Sequence, residues 1–274
     1  MPGEDVSGTD RTTQSRLFDR YVGIDYSGAE TSTASLKGIR VYLATPEAAP
    51  AEIPPPPSPK KYWTRRDVAE WVVARLREPQ RALIGIDHGF SFPLAYFTRY
   101  GLPHDWPSFL DDFQRHWPTD DEYVYVDFIR EGEVGNGAAR AGNPRWLRLT
   151  ERRTKRARSV FRFDVQGAVG KSTHAGLPWL RYIRRHAAGL VHCWPFDGWD
   201  VPAGISVLAE VYPSLWNRDY PAGDRTPDQH DAWSVAAWMR EQDRAGRLGS
   251  FFHPTLTPKE ERQARIEGWI LGVP

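Results

Sequence analysis

Three apolar runs that end in acidic residues constrain the fold of this chain more than any other feature of its sequence. The runs cover residues 21–25, 81–87 and 206–211. Short apolar runs between turn residues predict buried strands. Because Asp and Glu are rare in strands and costly to bury without a partner, acids at three strand ends indicate a binding or catalytic site.

The other periodic patterns predict an α/β fold with a mixed central sheet flanked by helices. A further strand is predicted at residues 38–45. Thr64 and Thr226 are suited to the N-cap position, and Pro227 stands where proline favours a helix start. Helices are accordingly predicted at residues 64–77, 226–244 and 258–271.

The middle of the chain, residues 93–200, is less regular and predicts a long α+β insertion. Residues 1–18 are polar and aperiodic, which predicts a disordered N-terminal arm. A single domain is therefore expected over residues 19–274. The elements predicted within its insertion are helices at 104–117 and 173–186, a strand at 122–130 and a glycine-rich loop at 132–143.

The composition of the chain excludes several classes of protein. The 36 Lys and Arg residues balance 35 Asp and Glu residues, so any nucleic acid must be recognised by a local patch. The single cysteine, Cys193, excludes an internal disulfide framework and a cysteine-based zinc site, and it fits a cytoplasmic location. We find neither an apolar leader nor a run of about 18 apolar residues, so we expect no signal peptide and no membrane span.

The acids of the three runs are Asp25, Asp87 and Glu210, and a fourth acid, Asp231, lies near the start of the helix predicted at 226–244. The carboxyl ends of parallel strands meet at the sheet edge where α/β proteins bind ligands. Carboxylates gathered there repel one another unless a cation lies between them. Since Mg²⁺ and Mn²⁺ prefer carboxylate oxygens, we predict a site for one of these ions.

Two neighbours of Asp231 each have a functional or a structural interpretation. His230 could shuttle a proton during product release, since histidine titrates near neutral pH, or it could be a surface residue of the first helical turn. Asp228 lies closer to the helix start, where we expect it to complement the helix dipole.

Four short motifs, taken in their order along the chain, resemble those of a known family. They are Val22-Gly23-Ile24-Asp25-Tyr26-Ser27-Gly28, Ile84-Gly85-Ile86-Asp87, Glu210-Val211-Tyr212-Pro213 and His230-Asp231-Ala232. The family is the domain-of-unknown-function family 429 of predicted RNase H-like nucleases. Residues 261–273, which end in EGWILGV, are also similar to its C-terminal segment.

The resemblance implies an RNase H-like fold and nuclease activity. It implies that Asp25, on the first strand, bridges metal ions. Asp87 and Glu210 would match the second and third acids of the family, and Asp231 would match the acid of its last helix.

Residues 167–173, with the sequence GAVGKST, look like the end of a Walker A loop. Val165 stands where that pattern requires glycine, which argues against a nucleotide-hydrolysing loop. The segment is either an anion site or a glycine-rich loop with a Ser/Thr cap. For an anion site, Lys171 and Ser172 are the predicted contacts with substrate phosphate, together with Ser27 after the first strand.

Residues 140–162 form the strongest local concentration of charge, with nine Lys or Arg and one acid, Glu151. Such a patch can neutralise phosphates, and the aromatic residues interleaved with it could stack on bases. Arg152 and Arg153 are the predicted phosphate contacts. The same residues could instead form a solvated helix face or pair with the acids of the sheet edge.

Three functional hypotheses follow. The first is a nuclease or phosphodiesterase that depends on a divalent cation and acts on a nucleic acid or nucleotide. The second is an ATP-dependent phosphotransferase of the actin/hexokinase type, whose phosphate loops would begin at Asp25 and Asp87. The third is a non-enzymatic binding module in which the acids hold a structural ion or pair with arginines.

Overall fold

A mixed sheet forms the centre of the fold in this computed structural model, which describes residues 16–154, 157–163 and 169–274. The strand order within the described residues is β3-β2-β1-β4-β6-β5. Strands β1, β4, β6 and β5 run parallel, whereas β2 and β3 are antiparallel to their neighbours. The strands are β1 (Arg20–Asp25), β2 (Arg40–Ala44), β3 (Ala51–Glu52), β4 (Ala82–Asp87), β5 (Val191–Cys193) and β6 (Ser206–Glu210).

Helices cover both faces of this sheet. Side chains alternate along β1, so Val22 and Ile24 pack in one core while Tyr21 packs in the other. The helices in the described residues are α1 (Arg65–Leu76), α2 (Leu94–Tyr100), α3 (Trp106–His116), α4 (Val126–Arg130), α5 (Leu149–Arg153), α6 (Val169–His186), α7 (Pro227–Arg244), α8 (Leu248–Phe251) and α9 (Pro258–Glu267). Helices α1 and α6 contribute to the first core, and α7 and α9 to the second.

A glycine on β1 sets how closely α7 approaches the sheet. A Cβ atom at Gly23 would lie 2.1 Å from the backbone oxygen of Ala232. No other residue fits without moving the helix, because real Cβ atoms do not approach backbone atoms so closely. This contact places the first turns of α7 beside the carboxyl end of β1, and so determines where Asp231 lies.

The predicted strands at residues 21–25, 38–45, 81–87 and 206–211 all form and lie in the central sheet. Helix α7 also begins as predicted. Thr226 accepts a hydrogen bond from the backbone N–H of Gln229, and the Gln229 side chain accepts one from the backbone N–H of Thr226. The last helix ends at Glu267, earlier than predicted, since Gly268 has a φ of 80° and Ile270 forms an isolated bridge with Glu210.

The strand predicted at residues 122–130 is wrong, because Val126–Arg130 forms the short helix α4. Helices α3 and α6 confirm the other two helical predictions between residues 93 and 200, and α6 continues through Pro178. The described part of this region is mainly helical. Its strand, β5, pairs with β6 at the edge of the central sheet, so it does not belong to a separate one.

Residues 1–15 of the predicted N-terminal arm lie outside the described residues, and so do Lys155 and Arg156 of the basic stretch and residues 164–168 before the GKST segment. Phe18, at the end of that arm, is buried, and its backbone N–H donates to the Asp243 carboxylate. In the described residues we find no helix that is long and apolar enough to cross a membrane.

Candidate functional site

Asp25 and Asp87 lie side by side at the carboxyl ends of two neighbouring parallel strands. The register of β1 and β4 pairs Asp25 directly with Asp87. Beyond Arg20 at the start of β1, both strands run through the core as uninterrupted apolar sequence up to the acid at their carboxyl ends. The sequence prediction that these acids come together is consistent with this register.

Helix α7 brings two further carboxylates to the same edge. Asp228 and Asp231 are three residues apart in its first turns, and this spacing places them on one face of the helix. Asn217 fixes Asp231 by donating a hydrogen bond of 2.8 Å from Nδ2 to Oδ1. Asp228 lies in the first turn of the helix, as expected for a residue that complements the helix dipole, and it also lines the cleft with Asp231. The three-residue spacing between Asp228 and Asp231 was the sequence signal that could have identified Asp228 as a cleft residue.

These four carboxylates line one open cleft with a volume of about 550 Å³. The turn after β1 and the first turn of α6 also line it. That volume is sufficient for a nucleotide-sized ligand. The polar residues around the cleft, apart from the four acids, are Tyr26, Ser27, Tyr125, Lys171, Ser172, Tyr212 and Ser214.

Burial and mutual repulsion raise the pKa values of three acids in the cleft. Burial raises the pKa of Asp25 well above its ordinary value, and the negative charges of Asp87, Asp228 and Asp231 raise it further. Burial likewise raises the pKa of Asp87, with contributions from Asp231 and Glu210. The pKa of Asp231 is also raised by burial, against the opposing effect of its hydrogen bond from Asn217. Cations bound among these groups would relieve their repulsion.

The histidine next to Asp87 does not supply that positive charge. His88 is 2% exposed, and burial lowers its pKa to about 4. Its Nδ1 lies 2.9 Å from the backbone oxygen of Gly89, and its ring packs against Tyr26. His88 is therefore neutral at pH 7 and acts as a packing residue behind Asp87.

Glu210 lies beside this group but is already paired. Arg148 donates two hydrogen bonds to its carboxylate, at 2.7 Å from Nη1 and 2.6 Å from Nη2. The backbone N–H of Phe90 donates a third, at 2.9 Å. Arg148 also pairs with Glu151, and all three charged side chains are buried. Glu210 therefore lies at the predicted strand end, but its carboxylate oxygens bind Arg148. Pairing of an arginine with an acid of the sheet edge is one of the interpretations given above for the basic stretch.

The C-terminal segment that resembles family 429 closes this buried network. The Glu267 carboxylate accepts hydrogen bonds of 2.6 Å from the backbone N–H groups of Leu94 and Leu149. Its backbone oxygen accepts a hydrogen bond of 3.3 Å from Arg148. The backbone N–H of Leu271 donates to the backbone oxygen of Glu210 at 2.9 Å. This segment therefore braces the strand end that carries Glu210.

The predicted phosphate contacts divide into two groups. Ser27, Lys171 and Ser172 line the cleft together with the acids. Nζ of Lys171 contacts Asp127 Oδ2 at 2.5 Å and the Tyr125 hydroxyl at 3.1 Å. The turn after β1 and the first turn of α6 meet closely at Gly28, whose Cβ position lies 2.2 Å from the backbone oxygen of Lys171.

Arg152, Arg153 and His230 are not among the residues that line the cleft. Arg153 pairs with Glu260 at 2.7 Å, and Arg152 donates to the backbone oxygen of Leu147. His230 Nε2 lies 2.7 Å from the backbone oxygen of Asn217. The structure therefore gives each of these side chains a structural partner. A role for any of them with substrate stays a prediction.

Sequence reasoning missed Arg65, which holds the turn that forms one wall of the cleft. Its guanidinium is fully buried and donates to the backbone oxygens of Ser27, Ala29 and Glu30, at 3.1, 2.6 and 2.7 Å. Three carbonyls that point at one cation fix the path of the turn. No motif signals this role, because the partners are backbone atoms 35 to 38 residues away.

Hard-oxygen donors suit Mg²⁺ or Mn²⁺, and the cleft offers four carboxylates of this type. As placed, they do not converge. Among the described residues, no group of three His, Cys, Asp or Glu side chains is close enough to hold a metal ion. The donor chemistry therefore fits a divalent cation, and the carboxylates would have to move closer together to bind one.

Comparisons with known protein families, curated proteins and solved structures find no match to this chain.

Proposed function

We propose that this chain is a phosphodiesterase that depends on Mg²⁺ or Mn²⁺, acts on a nucleic acid or nucleotide, and is built on an RNase H-like fold. One observation carries the proposal. Asp25 and Asp87 are paired across parallel strands at a sheet edge, and α7 adds Asp228 and Asp231 to the same cleft. The mixed sheet with helices on both faces is the architecture that the resemblance to family 429 implies.

The raised pKa values of Asp25, Asp87 and Asp231 support this proposal over a purely structural role. In a protein without a ligand, such repulsion only destabilises the fold. Strained groups of this kind are common at functional sites, where a bound cation or a reaction uses them. In this proposal Asp25 and Asp87 hold the cation, and Asp231 and Asp228 complete its surroundings.

A bound divalent cation supplies an activated water as nucleophile and neutralises charge on the phosphate. The residues of this chain position the substrate. Lys171 and Ser172, at the start of α6, and Ser27, in the turn held by Arg65, line the same cleft as the acids. There they can bind the non-bridging oxygens of a phosphodiester. Glu210, held by Arg148, fixes the end of β6 beside Asp87.

The test is hydrolysis of single-stranded DNA, single-stranded RNA, an RNA–DNA hybrid and a chromogenic phosphodiester, with Mn²⁺, with Mg²⁺ and with EDTA. We expect cleavage with a cation alone, and a loss of at least about a hundredfold in Asp25→Asn and in Asp87→Asn, the scale seen when a group that stabilises the transition state is removed. Asp224→Asn, an exposed acid outside the cleft, is the matched control.

Full cation-dependent activity in Asp25→Asn would contradict the assignment. So would the absence of cleavage of every substrate together with saturable hydrolysis of ATP, since that result identifies a phosphotransferase or ATPase. Lys171→Ala should mainly raise KM, because its predicted contact is with the phosphate of the bound substrate.

A further inference from the structure

A second groove, lined by arginines, lies apart from the carboxylate cleft. It is bounded by the start of α3, the last turn of α6, the turn after β5 and one face of α9. Its volume is about 500 Å³, and none of its lining residues lines the carboxylate cleft. The residues that matter for its chemistry are His104, Trp106, Arg184, Phe196, Arg262 and Arg265.

The acids of this groove are already engaged. Arg184 donates to both oxygens of Asp197, at 2.8 and 3.0 Å, and Asp197 also accepts from the backbone N–H of Cys193. Asp105 caps α3 by accepting a hydrogen bond of 2.9 Å from the backbone N–H of Ser108. Asp197 is therefore paired with a cation of the groove, whereas Asp105 is held only by a backbone N–H group.

Two arginines of the groove lack such partners. Arg262 and Arg265 are exposed and lie three residues apart on one side of α9. Within the described ranges, neither guanidinium takes part in an ion pair or a side-chain hydrogen bond, whereas Arg153 pairs with Glu260 of the same helix. Arg262 and Arg265 are therefore free to bind a ligand, and His104 adds further donors beside them.

The floor of the groove is rigid and aromatic. Trp106 and Phe196 stack with centroids 4.0 Å apart and an angle of 6° between their rings. The indole N–H of Trp106 donates to the backbone oxygen of Phe90 at 2.7 Å, and Arg184 lies over the Trp106 ring. Trp106 is 2% exposed, whereas Phe196 is half-buried. A ligand would therefore meet the edge or face of Phe196.

We propose that this groove binds a phosphate group carried by a nucleotide or by the end of a nucleic-acid strand. Planar guanidinium groups bind phosphate oxygens in pairs, and two unpaired arginines match the two negative charges of a terminal phosphate. A single carboxylate would leave one of them uncompensated. The half-exposed ring of Phe196 offers a surface on which an attached base can stack. This inference does not depend on the proposed hydrolytic activity.

Isothermal titration calorimetry tests it, with EDTA present so that no cation occupies the carboxylate cleft. The probes are inorganic pyrophosphate, adenosine 5′-monophosphate, and a short single-stranded oligonucleotide with either a 5′-phosphate or a 5′-hydroxyl. We expect the phosphorylated probes to bind, and the double variant Arg262→Ala/Arg265→Ala to weaken that binding about tenfold or more. Both side chains are exposed, so the fold should be unaffected.

The double variant Arg115→Ala/Arg244→Ala is the control, since it removes the same charge from exposed positions outside the groove. Asp25→Asn should leave this binding unchanged, which separates the groove from the proposed active site. Equal binding of the mononucleotide and the 5′-phosphorylated strand identifies a nucleotide site, and a preference for the strand identifies a strand-end site. Absence of binding at millimolar ligand, or equal losses in both double variants, would overturn the proposal.

Discussion

At the scale of single residues, the position of Asp25 makes its charge costly. It is an acid whose pKa in the folded chain is raised by burial and by Asp87, Asp228 and Asp231. An acid of this kind binds its proton more tightly in the folded state than in the unfolded state. The free energy of unfolding therefore falls as the pH rises from the unfolded pKa through the folded pKa, and the full penalty applies above the latter.

Asp25→Asn removes that penalty while keeping the shape of the side chain. In EDTA at pH 7 we expect the variant to melt higher than the wild type by about 2 °C or more, the shift that ~1 kcal/mol produces in a chain of this size. The difference should shrink as the pH is lowered, because Asp25 is then protonated in the wild type. Thermal denaturation across pH checks this. A variant that melts lower at every pH would show that the charge of Asp25 stabilises the fold.

Arg148 and Arg153 offer a second residue-scale prediction, because both form ion pairs but at different depths. Arg148 is 1% exposed and forms ion pairs with both Glu210 and Glu151, whereas Arg153 pairs with Glu260 at the surface. Arg148→Met leaves two buried carboxylates unpaired, and we expect it to cost about 3–5 kcal/mol. Arg153→Ala should cost less than ~1 kcal/mol. Urea denaturation measures the stability lost in each variant. Similar losses would show that the buried ion pairs of Arg148 stabilise the fold no more than the surface pair of Arg153.

At the scale of elements, the cleft depends on how closely the turn after β1 approaches the first turn of α6. The Cβ atom of an alanine at position 28 would lie 2.2 Å from the backbone of Lys171. We therefore expect Gly28→Ala to push the two segments apart, to cost about 1–3 kcal/mol, and to reduce phosphate binding in the cleft. Gly249→Ala is the matched control, since the nearest atom to its Cβ position is 3.8 Å away. Equal stability of the two variants would contradict this packing.

The elements also show what could be predicted from the sequence and what could not. Strands β1, β4 and β6 could be predicted because each is a short apolar run that ends in an acid. Helix α7 could be predicted from its N-cap residue, Thr226. Helix α4 was misread as a strand, since five residues with alternating apolar side chains fit either period. Strand β5 has three residues, too few for a pattern, and it forms only because β6 lies beside it.

The same limit applies to the site. Asp25, Asp87 and Asp231 could be assigned to one edge, since parallel strands and a capped helix fix where their ends lie. The partner of Glu210 could not be predicted, because Arg148 lies 62 residues away and meets it only through tertiary packing. The role of Arg65 could not be predicted for a similar reason, since it donates hydrogen bonds to backbone oxygens, which every residue type carries.

At the scale of the whole molecule, a formal charge of +1 conceals two clefts whose linings differ in charge. Four carboxylates and Lys171 line the cleft at the sheet edge, while three arginines, Asp105 and Asp197 line the groove beside α9. Phe90 links the acid beside the cleft to the groove, because its N–H donates to Glu210 and its carbonyl accepts from the Trp106 indole. A chain with almost no net charge can therefore carry one candidate site for a cation and another for an anion. Each site must be tested with its own ligand.

Cation binding in the carboxylate cleft can be tested without any assumption about the substrate. An ion present at ten times its Kd should raise the free energy of unfolding by about 1.4 kcal/mol, since it binds only the folded chain. In a chain of this size that corresponds to a rise in Tm of roughly 2–3 °C with Mn²⁺ or Mg²⁺. The rise should vanish in Asp25→Asn and in Asp87→Asn and persist in Asp224→Asn. If the wild type shows no rise, or if Asp25→Asn keeps it, the carboxylates do not hold the ion, and the repulsion among them must be relieved by protonation.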